Sequence, residues 1–173
     1  MNEKEAIERA TAEGFLRLYN QAMAESYRIA EHRDAPDFLC RNNENRILNL
    51  EITTTENRPM DIASLLGRSN HRSVEALRRN NEEVKAGRAT PQYDSLSGNV
   101  SAMLVSRIIA KLNKDMGRDV ALVVRDASPL DWDWKYVLDD IRAVIANYRN
   151  PYDKGIWLVS YSKDKLYKIL EPA

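Results

Sequence analysis

Two acids in this chain stand out by type and spacing. Asp37 follows Pro36 in the run PDFLCR, and Glu51 lies inside LNLEIT, beyond the polar stretch NNEN. Side chains alternate along a strand, so Leu48, Leu50 and Ile52 share one face while Asn49, Glu51 and Thr53 share the other. With NNEN as the turn, Arg41 pairs with Arg46, which sets Pro36 and Asp37 opposite Glu51 and Leu50. One bulged residue would decide which of the two faces Glu51 directly. In either register the two carboxylates come within a few ångströms. Close carboxylates repel unless one is protonated or a cation lies between them. A hard divalent cation such as Mg²⁺ takes one or two carboxylates, backbone oxygens and waters.

A helix and a strand precede these acids. Residues 3–24 read as a helix with Ile7, Thr11, Gly14, Phe15, Leu18 and Ala22 on one face. The stretch from Tyr27 to Asp34 alternates like a strand. At about 3.3 Å per residue it spans roughly 26 Å. A helix folding back beside it needs roughly 17 residues to reach Asp37. Counting back from Ala24 ends near Glu8, which makes Glu8 the preferred third acid and Glu13 the reserve. Further along, Val100, Leu104, Ile108 and Leu112 form the buried stripe of a helix over Asn99–Met116, closed by Gly117. Lys111 borders that stripe and Lys114 follows one turn on. A lysine facing the sheet there can orient a water or stabilise a developing negative charge.

These residues, in this order of elements, resemble the PD-(D/E)XK nuclease superfamily, the restriction-endonuclease-like fold. The residues that carry the resemblance are PDF and LNLEIT, and it extends from the first helix to VALVVRD and on to GIWLVS. It implies hydrolysis of phosphodiester bonds dependent on Mg²⁺ or Mn²⁺, with DNA the default substrate over RNA. Asp37 and Glu51 match the motif acids, and Ile52 would offer its carbonyl to the metal beside Glu8. Thr53 stands where the motif lysine belongs. Some members supply that lysine from the following helix, and SRIIAKLNKDMG is similar to that arrangement, with Lys111 first and Lys114 second. The alternative is a catalytically inactive nuclease-fold protein that binds nucleic acid or a protein partner, such as an accessory protein of a phage or mobile element. A homodimer suits cuts in two strands.

Composition is compatible with this reading. The chain has 173 residues, 43% hydrophobic and 30% charged, with zero formal net charge, so charge alone names no partner. It is read as a single domain, residues 1–173, in an α/β fold with a mixed central sheet flanked by helices around an αβββαβ core. Cys40 is the one cysteine, which excludes an internal disulfide and points to the cytoplasm. His32 and His71 lack clustered partners, so a structural zinc is not expected. The N-terminus has no signal-peptide core, and no apolar run reaches the roughly 20 residues that span a bilayer.

The remaining elements frame the site. A short helix after Pro59 and an exposed helix ending at Gly87 are expected between the hairpin and the long helix. Arg68, Arg72, Arg78, Arg79, Lys85 and Arg88 there are candidates for phosphate contact. Strands are expected over 120–128 and 155–162, with a helix over 132–148 between them and KLYKIL as an edge strand. In DWDWK, Asp131 is read as the helix cap, with Trp132 and Trp134 packing on the sheet.

Overall fold

The computed structural model describes residues 3–54, 86, 96–126, 133–160 and 164–172. The elements are α1 (Glu3–Met23), β1 (Arg28–His32), β2 (Phe38–Arg41), β3 (Ile47–Thr54), α2 (Leu96–Leu112), β4 (Val120–Asp126), α3 (Trp134–Ile145), β5 (Ile156–Ser160) and β6 (Lys165–Leu170). The six strands form one sheet in sequential order. β1, β2 and β3 run antiparallel, β3, β4 and β5 run parallel, and β6 returns antiparallel on β5. This is the expected mixed sheet flanked by helices.

Alternation along the central strands builds a core on each face. Leu48, Leu50, Ile52, Ala121, Val123 and Trp157 pack with Phe15, Leu16 and Tyr19 of α1. Val120, Leu122, Val124, Ile156 and Leu158 pack with Leu104, Ile108 and Leu112 of α2 and with α3. β4 and β5 are therefore apolar on both sides, as parallel strands under helices must be. Glu51 pairs in register with Leu122 and Thr53 with Val124. Both point to the α2 side, where their apolar neighbours bury them.

Several boundaries differ from the sequence reading. The hairpin register is Arg41↔Ile47 and Phe38↔Leu50, one residue away from the expected Arg41–Arg46 pairing. Arg46 belongs to the turn, because Asn42 Oδ1 accepts the Arg46 N–H at 2.9 Å and the Glu44 N–H at 3.0 Å. Asn45, at φ 61°, supplies the left-handed step. Continued one step beyond Phe38, this register brings Asp37 level with Glu51. β1 is shorter than the expected Tyr27–Asp34, since Asn20 clasps both main-chain groups of Tyr27 at 2.9 Å and a bulge interrupts Ile29–Glu31.

The α1 face is rotated from the expected one. Glu8, Thr11, Ala12, Phe15, Leu16 and Tyr19 are buried, while Ala22 is exposed. α2 ends at Leu112, four residues before the expected Met116, and Gly117 at φ +85° instead helps turn the chain into β4. Asp133, not Asp131, caps α3, accepting the Tyr136 N–H. The helices expected between Pro59 and Gly87, the basic residues from Arg68 to Arg88, and Trp132 fall outside the described residues. Among the described residues no helix is long and apolar enough to cross a membrane.

Candidate active site

The site forms where β2 begins beside the later half of β3. Glu51 is only 3% exposed. Its Oε1 accepts a hydrogen bond from the Lys111 ammonium at the end of α2. Its Oε2 is buried and has no hydrogen-bond partner among the described residues. A buried carboxylate oxygen in that state is costly unless a ligand supplies what the protein does not.

Asp37 sits just before β2 and reaches across to β3. Its Oδ2 accepts the Ile52 N–H at 2.6 Å. Burial pushes the Asp37 carboxyl up from 3.8 to about 6, and the charges of Glu51 and Glu8 push the same way. The Ile52 N–H and Lys111 act against that shift. Asp37 and Glu51 therefore lie close enough to interact electrostatically. A strand residue projects its N–H and C=O to the same edge. The Ile52 carbonyl accordingly turns toward the Asp37 edge, where β2 has already ended.

A cavity of about 590 Å³ opens here. Asp37, Glu51, Ile52, Thr53 and Lys111 all line it, together with Glu8 and Lys114. Glu8 is 8% exposed and has the Lys4 ammonium at 3.4 Å. Glu13, the reserve acid, is exposed and bound to Arg9 at 3.1 Å, outside this group. Among the described residues no set of three or more His, Cys, Asp or Glu side chains converges to hold an ion. Glu8 thus stands on the wall rather than in a tight triad with Asp37 and Glu51. Two carboxylates and a main-chain carbonyl remain, all hard oxygen donors, and the unpartnered Oε2 makes them fit Mg²⁺ or Mn²⁺ completed by waters.

Further residues line this cavity that the sequence reading did not single out. Arg107 precedes Lys111 by one turn of α2, and Lys4 precedes Glu8 by one turn of α1. The spacing of four is the signal that points to both. Tyr152 donates its hydroxyl to the Lys111 carbonyl at 3.0 Å, a contact with no local signature. Trp134 is buried against Tyr167 and unavailable to a base. Cys40 is buried in the α1-side core, its thiol pushed up to about 12 by burial, and serves packing.

Compared with known proteins, the chain matches no family model, no curated protein and no solved structure.

Proposed function

We propose that the protein is a metal-dependent nuclease, hydrolysing phosphodiester bonds of DNA in preference to RNA on a PD-(D/E)XK-like scaffold. One observation carries the reading. Lys111, delivered by α2, sits on Glu51 while the other Glu51 oxygen is buried with no partner among the described residues, beside Asp37. The order of helix, three strands, helix and strand among the described residues adds support.

Asp37, Glu51 and the Ile52 carbonyl would hold Mg²⁺ or Mn²⁺, which when bound lowers the pKa of water and polarises the phosphate. The hydrogen bond from Ile52 holds the Asp37 carboxylate on β3, next to Glu51. Lys111 offers three N–H donors, of which Glu51 takes one. The others would orient the attacking water or meet a phosphate oxygen. Thr53 lines the cavity but carries no charge, so Lys111 fills the role of the motif lysine. Lys4, Arg107 and Lys114 also line the cavity, beside Asp34 and Asp115, and would meet flanking phosphates. A cytoplasmic setting accords with a buried thiol and no disulfide. A homodimer would bring one site to each strand of a duplex.

The test is cleavage of duplex DNA, single-stranded DNA and RNA with Mg²⁺ or Mn²⁺. Asp37→Asn and Glu51→Gln are expected to lose more than about 100-fold in rate. Cleavage by both variants at the parent's rate would remove the assignment, and metal-independent binding without cleavage would favour the inactive alternative.

A further inference from the structure

Lys111 faces a mechanical difficulty. It lies in the last turn of α2, which ends at Leu112. The final carbonyls of a helix lack intrahelical partners, and such ends fray. A lysine also carries its charge on a long flexible stem. Holding that ammonium on a buried carboxylate requires a fixed backbone beneath it.

We infer that Tyr152 is the positioning residue for Lys111, bracing the end of α2 so that the ammonium meets Glu51. This rests on the role given to Lys111 above. Tyr152 is fully buried, its ring packed in the core beneath α2 and α3. Its hydroxyl donates to the Lys111 carbonyl at 3.0 Å, and the same carbonyl accepts the Lys114 N–H at 3.1 Å. The brace itself is anchored. Asn150 accepts the Tyr152 N–H at 2.9 Å and donates to the Tyr152 carbonyl at 3.2 Å. Asp153 then ties the segment to the start of β4 through the Asp119 and Val120 N–H groups, at 2.9 and 2.8 Å. Burial, with the charges of Glu51 and Asp37, raises the phenol above its ordinary value of 10.0. The hydroxyl is therefore favoured in its protonated, donating form.

Tyr152→Phe keeps the ring and removes the donor. Its readout need not be activity. The Lys111 side-chain NMR signal, assigned by its absence in Lys111→Arg, reports the pairing with Glu51. In Tyr152→Phe this signal is expected to move toward its position in Glu51→Gln. With cleavage present, kcat falls about ten-fold or more at unchanged KM. A Lys111 signal that stays in place overturns the inference, whatever happens to thermal stability. Should the protein cut nothing, the proposed activity fails while the Lys111 signal still decides this point. If Tyr152→Phe does not fold, Asn150→Ala releases the Tyr152 main chain with the hydroxyl intact, and the same signal is read there.

Discussion

Two clusters of acids and a lysine sit beside the parallel strands, built from the same residue types to opposite ends. Where β4 enters the sheet, each oxygen of Asp153 accepts a main-chain N–H, from Asp119 at 2.9 Å and Val120 at 2.8 Å. Lys154 closes that cluster on Asp119 at 3.1 Å. Where β2 begins, Asp37 engages the main chain of Ile52 and Glu51 engages Lys111, but one Glu51 oxygen is buried with no partner among the described residues. The first cluster leaves no Asp153 oxygen unoccupied, and it pins a strand. The second leaves an acceptor unsatisfied among the described residues, on a carboxylate whose residue lines the cavity. What separates the two clusters is thus the acceptor left over, not the residue type.

The sharpest way to break this contrast is to exchange the losses. Asp153→Ala removes two charge-assisted hydrogen bonds and is expected to cost about 2–3 kcal/mol of stability. Its cleavage rate, measured where it is folded, stays close to the parent's. Asp37→Asn behaves in the opposite way, losing cleavage without that penalty. Urea denaturation and steady-state kinetics on the two variants separate the roles. If folded Asp153→Ala cut as poorly as Asp37→Asn, the two clusters would not be different in kind.

Much of the second cluster was readable along the chain, and the reason is local. Strand alternation alone put Glu51 and Thr53 on one face, and the helical stripe of Leu104, Ile108 and Leu112 put Lys111 at its border. The register was one residue off because it depends on how Asn42 folds its side chain back onto Arg46, which composition does not announce. Length arithmetic brought Glu8 to the cavity wall but not into a tight group with the two acids, and the buried face of α1 is rotated from the apolar pattern. Ile7 is only half-buried and Glu8 buried. Tyr152 lay beyond reach, since its partner Lys111 is 41 residues away and no periodicity links them. Asp133 displaced Asp131 as the α3 cap because DWDWK offers two acids with the same chemistry.

The lysines sharpen the comparison next. Lys154 is 38% exposed on its partner, whereas Lys111 is 21% exposed on a carboxylate that is 4% exposed. An exposed pair contributes at most about 1 kcal/mol. Lys154→Ala should therefore change little in either stability or rate. Lys111→Ala strands Glu51 in the core and is expected to cost about 2 kcal/mol, with a fall in cleavage of about 10- to 100-fold. Equal effects of the two substitutions on thermal unfolding would place both lysines in the surface class.

The smallest effect concerns protons. The Asp37 carboxyl is raised from 3.8 to about 6, chiefly by burial, so between those values the folded protein binds a proton that the unfolded chain has released. Stability from this group is complete below the unfolded value and is lost as pH rises through about 6. Solvent access at Asp37 reduces the change to about 1–2 kcal/mol. Metal-free protein should thus lose stability between about pH 4 and pH 7, and Asp37→Asn should flatten that slope. Mg²⁺ or Mn²⁺ acts in the other direction, because it binds the ionised acid and so stabilises the fold more at neutral pH than at pH near 5. Asp153 supplies the control. Each of its oxygens already accepts an amide N–H in the folded state, so Asp153→Ala should leave the metal-dependent part of the profile unchanged. Denaturation midpoints across pH, with and without the ion, measure both. A parent profile identical to that of Asp37→Asn would mean that Asp37 is as fully satisfied as Asp153, and the contrast between the two clusters would lose its electrostatic basis.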